Sequence, residues 1–347
     1  MISSRPGAPR AVATVAAVLA MAAAAGCKRS ASQAPPPADA AVVSDRGGDD
    51  AGGATEGGSD ERDERAPVPS GCERLPFAAE LPLAEASGAA VMTVDGRAVV
   101  LVVGDSGTAG AYVLADATTG EVVERGQLPL GTGAGDDVEG ISTDGDAIWG
   151  VTSAGWMRRW RRDGHGFALV DGPYPVAPVD DTIPLTPRFG GIGATPTDSL
   201  ACRGNGVNCG KNYEGLCVAP GEPPGGCAGY LAAKADGRLW CLVRAGARLV
   251  ADPTRSIDAG PADVLAGCDV SADGASLWLG ANGFGGRTLW RVTGWREPAT
   301  AQVAPLQALG DGFPEAIALG PDDVVYRFSD TGGAPSLAGR WRCPPPR

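Results

Sequence analysis

A single histidine, His165, serves a chain of 347 residues, and that scarcity excludes several chemistries at once. A serine nucleophile needs a neighbouring base, and a structural zinc site draws on histidine or on closely spaced cysteine pairs. No Cys-x-x-Cys pair occurs either. Aromatic residues make up only 5% of the chain, whereas glycine and proline number 53 and 29, a balance that favours many turns over long helices. Positive charge is also short: 29 Lys and Arg against 41 Asp and Glu leave a formal net of -12. Such a chain repels a phosphate backbone, so nucleic acid is not expected as a partner, and a cation or cationic partner fits better. The longest apolar run, residues 11–25, is too short to span a bilayer comfortably as a helix.

That run follows Arg5 and Arg10 and ends in Ala24, Ala25 and Gly26 immediately before Cys27. Charge, apolar stretch and small residues in that order read as an export signal. The ending resembles the lipobox of bacterial lipoproteins, with Ala24 where leucine is commoner. The resemblance implies a signal peptide over 1–26, cleavage before Cys27 and acylation of that residue, so that a membrane is one partner. Ordinary export with cleavage inside the alanine run is the alternative. Lys28, in place of an aspartate, implies sorting to the outer membrane of the cell envelope by analogy with enterobacterial lipoproteins. Residues 27–70 then form an acidic, Pro/Gly-rich tether: from Asp45 to Arg65 there are eight acids and three arginines, and residues 28–70 hold no aromatic residue. A segment of this kind cannot offset the entropy of ordering and is expected to be disordered, its charges keeping it extended.

Nine cysteines are present, and setting aside Cys27 leaves eight, enough for four disulfides in an oxidising compartment. The chain from 71 to 347 contains a repeat. Segments 88–116, 136–162, 211–243, 264–292 and 312–343 each read as a strand, a Gly/Asp turn, a second strand, a glycine-rich turn and a strand bearing an aromatic. Aligned starts at Ala89, Glu139, Glu214, Leu265 and Glu315 recur about every 50 residues, except for one interval lengthened by a proline-rich insertion at about 173–209. A period of that length with short strands predicts an all-β fold, a β-propeller of five or six blades.

Most copies are followed by a further strand, at 121–130, 165–176, 246–253 and 299–309, but the last copy stops at Cys343 without one. Residues 72–83 precede the first copy, and their ELPL resembles QLPL of 127–130. They are therefore expected to supply the outer strand of the last blade, closing the ring, removing two open sheet edges and joining Cys72 to Cys343. Cys202 with Cys209, Cys217 with Cys227, and Cys241 with Cys268 are the remaining expected pairs.

Gly104–Gly110, GDSGTAG, resembles the surroundings of the nucleophilic serine of chymotrypsin-like proteases. In the repeat, however, Ser106 lies in the turn between second and third strands, matching 152–156, 233–237, 281–286 and 329–333, while His165 falls in a turn at the opposite end of its blade. No triad is expected. Residues 131–137, GTGAGDD, lead into a strand and so lack the helix terminus of a phosphate-cradling loop. Residues 156–162, WMRRWRR, would place Trp156, Arg158 and Trp160 on one face and Met157 and Arg159 on the other; packing between blades is the expected use, with ligand stacking or anionic lipid as alternatives.

The Glu-Gly start of the inner strand in NYEGLCV, the following AAKADGRLW, and PEAIAL with SDTGG resemble the phytase-like (esterase-like activity of phytase) and SdiA-regulated β-propeller families of exported bacterial proteins. The resemblance covers about 135–343 and implies a propeller, an acidic top face associated with calcium in some relatives, and phosphoester or ester hydrolysis in others. Glu139 and Glu214 match the Glu-Gly motif; Glu315 is followed by Ala316, Leu265 brings no acid, and Thr331 stands where asparagine is commoner.

In a propeller the loops entering the inner strands and the second-to-third-strand turns share one face, so Asp137, Glu139, Glu214, Glu315, Asp105, Lys234 and Asp330 are expected to converge. The six carboxylates are candidate ligands for a hard cation such as Ca2+. Bonding to backbone amides of neighbouring blades, or direct catalysis, are the alternatives. Two functional classes follow: a lipid-anchored module that binds a ligand or partner, and a calcium-dependent phosphoester or ester hydrolase. The anchor is tested by metabolic labelling with a fatty-acid analogue, which should mark the wild-type protein and fail on Cys27→Ser, the variant leaving the membrane fraction; equal labelling of both removes the lipobox reading.

Overall fold

Alternation decides which strands lie deep and which lie at the rim. The strand Val122–Gln127 alternates half-buried and exposed positions, whereas Tyr213–Val218 is buried at every position. A sheet that runs from a fully buried strand to an alternating one is a propeller blade seen from its axis outward. The computed structural model describes residues 71–179, 199–203, 208–221, 226–260, 265–281 and 288–343. The signal peptide, Cys27 and the tether lie outside these residues, as does most of the insertion.

The chain begins with two short strands, β1 (Glu73–Leu75) and β2 (Glu80–Ala84). The first blade comprises β3 (Ala86–Val94), β4 (Arg97–Gly104), β5 (Ala111–Asp116) and β6 (Val122–Gln127). The second has β7 (Val138–Asp144), β8 (Ala147–Thr152), β9 (Trp156–Arg162) and β10 (Phe167–Pro175). The third has β11 (Tyr213–Val218), β12 (Gly229–Ala233), β13 (Arg238–Ala245) and β14 (Arg248–Asp258); the fourth has β15 (Leu265–Val270), β16 (Ser276–Ala281), β17 (Thr288–Thr293) and β18 (Gln302–Ala308). The fifth has β19 (Phe313–Leu319), β20 (Val324–Asp330) and β21 (Pro335–Arg342), with β1 and β2 both paired to β21 as its outer edge. All pairings are antiparallel. Innermost strands meet in the cyclic order β3, β7, β11, β15, β19 and back to β3, so the ring is closed with five blades. The only regular non-strand element among the described residues is a 3-10 turn, Pro298–Thr300.

Five apolar clusters fill the five gaps between blades. Leu101, Ile141 and Trp160 belong to the gap between the first and second, Val151, Met157 and Leu231 to the next, and Leu81, Val102 and Phe328 to the closing one. From Met157 to Trp160 the β9 segment divides its side chains as the alternation requires, while Trp156, expected on the face of Arg158 and Trp160, donates its Nε1 to the Cys202 carbonyl, next to Leu200 and Ala201 of the gap to the third blade. Trp160 faces the first blade, and Arg158 Nε donates to the Leu130 carbonyl at 2.7 Å, while Met157 and Arg159 face the third. These arginines and tryptophans are therefore packing and bonding groups of the blade interfaces.

Cys72 bonds Cys343 and Cys202 bonds Cys209, as the ring closure and the short insertion loop require. The other two expected pairs are corrected: Cys217 joins Cys268 and Cys227 joins Cys241, with Cα separations of 5.3 and 5.4 Å. Reading along a hairpin pairs neighbours in sequence, but β11 and β15 lie side by side in the ring. Cysteines 51 residues apart, about one repeat, thus become neighbours.

The closing bridge spans 271 residues of chain. In the chain-entropy account such a loop constrains the unfolded state by about 5 kcal/mol. Non-reducing peptide mapping should recover Cys72 with Cys343, and Cys72→Ser/Cys343→Ser should lose about 2–5 kcal/mol in denaturant unfolding; a loss no larger than that of an exposed surface substitution contradicts the closure.

Candidate acidic site at the mouth of the channel

Each innermost strand carries an irregularity in register at the same place. Ala86 pairs Gly104 and Gly88 pairs Val103; the steps Val138 to Gly140, Tyr213 to Gly215, Leu265 to Gly267 and Pro314 to Ala316 repeat it against their own second strands. The extra residue is Ser87, Glu139, Glu214, Ala266 and Glu315 in turn. The aligned starts Ala89 and Leu265 are thus corrected to Ser87 and Ala266. A bulge places two residues opposite one, so strict alternation read from sequence slips there.

After each extra residue comes a glycine, or Ala316 in the fifth blade, and close packing requires it. A β-carbon on Gly88 would lie 2.6 Å from the Glu139 carbonyl oxygen, one on Gly215 2.9 Å from the Cys268 nitrogen, and one on Gly267 3.0 Å from the Ile317 nitrogen. Backbone therefore approaches backbone around the axis, and the Glu-Gly motif joins two requirements: a small residue for the approach, and a side chain at the channel mouth.

The turns between second and third strands contribute a second set at that mouth. Asp105, Ser153 and Lys234 follow the last paired residue of the second strand in the first, second and third blades, and Asp330 is itself the last paired residue in the fifth, opposite Phe313. Asp105, Asp137 and Glu139 come together so that one carboxylate oxygen of each lies within 4.8 Å of the others. Ser87 Oγ donates to Glu139 Oε2 at 2.6 Å, and Ser153 Oγ bonds Asp137 Oδ2. Asp137 Oδ1 is buried with no hydrogen-bond partner. Glu214 instead takes a cation, Lys234 Nζ at 3.2 Å from its Oε1, and Glu315 acts electrostatically on both. Asp330 acts on Glu85 together with Asp105. The six candidate carboxylates thus form a cluster of three, an acid beside a Lys–Glu pair, and one acid beside Glu85. Sequence reading missed Ser87 and Ser153, the hydroxyls that orient the cluster; the bulge register identifies the first and the turn alignment the second.

Burial governs the protonation of this mouth. Asp137, Glu139 and Glu214 expose 2%, 5% and 6% of their surface. Burial, with Asp105 adding repulsion, pushes Asp137 up to about 7. Burial and the charges of Glu214, Asp105 and Asp137 hold Glu139 well above the carboxylate range. Glu214 rises to about 8 because burial outweighs the attraction of Lys234. For Lys234 burial opposes the charged form, yet Glu214, Glu315 and Glu139 outweigh it and raise the ammonium above its usual value. Asp136 lies beside the cluster and accepts the Gly107 and Ala109 N–H groups at 3.1 Å, which pins the GDSG turn. Ser106 has no imidazole near it, since His165 sits in the β9–β10 turn at the other end of its blade with its side chain 97% exposed.

No family model matches the chain, and no curated protein matches it. Among solved structures, the PQQ-bound aldose sugar dehydrogenase of Streptomyces coelicolor is 15% identical, with 78% of this chain and 97% of that chain covered and a TM-score of 0.44. The glutaminyl cyclase of Myxococcus xanthus is 13% identical over 79% and 97%, with a TM-score of 0.45. A putative oxidoreductase (glucose dehydrogenase) of Thermus thermophilus is 14% identical over 78% and 99%, with a TM-score of 0.42.

The raised carboxyls fix the sign of the pH dependence. In the folded, cation-free protein they retain protons that the unfolded chain releases near pH 4, so their contribution to stability is full below that value and is lost as pH rises through about 7 to 8. Carboxyls held low, such as Asp252, at about 2, have finished titrating by pH 5. In chelator, the melting temperature should fall by roughly 5 °C between pH 5 and pH 8.5. Glu139→Gln should flatten that fall in part, Asp137, Glu214 and the buried Asp269, at about 7, supplying the remainder. A melt that rises over this window contradicts the assignment.

Proposed function

We propose that this chain is an exported binding module, held to the cell envelope through acylated Cys27, whose acidic mouth holds a calcium ion between Asp105, Asp137 and Glu139. One observation carries the reading: three carboxylate oxygens, one each from Asp105, Asp137 and Glu139, lie within 4.8 Å of one another, and the Asp137 carboxylate has one oxygen, Oδ1, buried without a hydrogen-bond partner. Calcium bonds oxygen at about 2.3–2.6 Å, so donors on opposite sides of the ion lie about 5 Å apart, the span of this cluster. The cation would neutralise carboxylates that otherwise hold protons, and the glycine-rich turns around it would form the surface that a ligand or partner meets. Disulfides indicate an oxidising compartment, consistent with export, and no helix among the described residues is long and apolar enough to cross a membrane. Attachment by the multiple chains of lipoprotein processing, at the outer membrane, then supplies the hold on the envelope.

Hydrolysis of the kind the phytase-like resemblance implies needs positive charge to meet a phosphate or a developing oxyanion. The proposed calcium would supply that charge, but the two side chains that could move a proton beside it are not placed to do so: His165 lies at the other end of its blade and Lys234 is engaged by Glu214, which favours binding over catalysis.

Calcium titration of the thermal melt tests the proposal. Stability at pH 8 should rise by about 2.7 kcal/mol when free calcium is 100 times its dissociation constant. Glu139→Gln should lose the response, yet be at least as stable as wild type in chelator, because glutamine removes a repelling charge. An unchanged wild-type melt, with Glu139→Gln merely weaker, would make these carboxylates structural acceptors and remove the calcium site.

A further inference from the structure

A cavity of about 190 Å3 opens at the opposite face of the ring, between the fourth and fifth blades. Its origin lies in the way the ring is closed. Three blades set an arginine of the third strand beside an aromatic of the second: Trp149 with Arg159, Trp278 with Arg291, and Tyr326 with Arg340. In the second blade Arg159 Nη1 donates to the Ala247 carbonyl at 3.0 Å, in the β13–β14 turn of the next blade. In the fifth, Arg340 Nη1 donates to the Thr118 carbonyl at 3.1 Å, in the β5–β6 turn of the first. Each acceptor belongs to the third-to-fourth-strand turn of the following blade.

Arg291 faces the fifth blade, and the fifth blade has no such turn. Its third strand ends at Arg342 and its outer strand begins at Glu73, the two joined by the Cys72–Cys343 bridge. Buried Nε atoms without a partner are common to all three arginines, but only Arg291 also lacks a bond from its terminal nitrogens among the described residues. Where the missing hairpin would stand there is the cavity. Trp278 and Leu319 give it apolar walls, and Asp273, Asp322 and Asp323 line it with negative charge.

We propose that this cavity binds a small zwitterion, an α-amino acid with an apolar side chain. The Arg291 guanidinium, which Asp273 attracts across the cavity but which makes no hydrogen bond among the described residues, presents the planar fork that a carboxylate fits. Three aspartates repel a simple anion, so the ligand must bring a cation as well, and an ammonium beside the carboxylate answers both demands. The apolar walls take the side chain, and the volume lies below that of drug-sized pockets.

Isothermal titration in chelator, which makes the result independent of the calcium reading, uses L-leucine, L-phenylalanine, N-acetyl-L-leucine and 3-methylbutylamine as probes. Saturable binding is expected for the two amino acids, and binding at least tenfold weaker for the acetylated and decarboxylated compounds. Arg291→Gln, verified as folded by its melt, should weaken L-leucine at least tenfold, and Arg291→Lys should restore only part of the loss. Asp322→Asn/Asp323→Asn, in an exposed turn whose left-handed backbone suits asparagine, should narrow the gap between L-leucine and its N-acetyl form. Absence of saturable binding by both amino acids, equal binding by Arg291→Gln, or an unchanged gap in the double asparagine variant overturns the assignment.

Discussion

The approach of backbone to backbone around the axis is the constraint from which the rest of this molecule follows. Gly88, Gly140, Gly215 and Gly267 leave no room for a β-carbon against the next blade. Five strands packed that closely must place their extra residues within reach of one another. Where those residues are acids, the fold itself concentrates charge: two carboxylates 4 Å apart repel by about 4 kcal/mol at an effective dielectric constant of 20. Ser87 and Ser153 relieve part of this by donating hydrogen bonds, and Lys234 relieves another part as a counter-charge. Asp137 Oδ1 is left with neither. The acidic mouth is therefore a place where packing geometry and electrostatics oppose each other, and protonation or a bound cation resolves the opposition.

A second set of contacts works outward from the axis. Tryptophan and tyrosine on second strands fill the gaps between blades, and arginines of third strands reach over them to carbonyls of the following blade. Two tryptophans of β9 also bond through their ring nitrogens: Trp160 Nε1 donates to the Pro129 carbonyl and Trp156 Nε1 to that of Cys202, both at 2.8 Å. Charge thus serves cohesion on the outer strands and is left concentrated at the two ends of the ring.

Much of this was legible in the sequence for a physical reason. Blades must repeat the same strand lengths and turns to close a ring, so periodicity carries the fold, and a last copy without an outer strand points to the residues that complete it. The acids of the mouth were legible because they sit at one register of the repeat. Local detail was not. A bulge breaks the two-residue period, which displaced the register at Ser87 and Ala266. Contacts between blades join residues a whole repeat apart, which hid the Cys217–Cys268 pair and the Ser87 hydroxyl that bonds Glu139. The unbonded terminal nitrogens of Arg291 were invisible for a related reason, since they are defined by a turn that the neighbouring blade lacks among the described residues.

Closure by the chain's two distant segments also orders the events of folding. Four blades are built from contiguous stretches and form from local hairpins, but the fifth needs β1 and β2 at one end and β21 at the other. As the chain emerges N-terminus first, β1 and β2 wait without partners while the four contiguous blades assemble. Waiting strands invite pairing with the wrong chain. These are three and five residues long, and the segment carries Glu73, Arg74 and Glu80 with Pro76 and Pro82 beside or within the strands. Short length, charge and proline are the features that blunt a bare edge. The Cys72–Cys343 bridge joins residues 271 apart, so it can form only once the chain of all five blades has emerged.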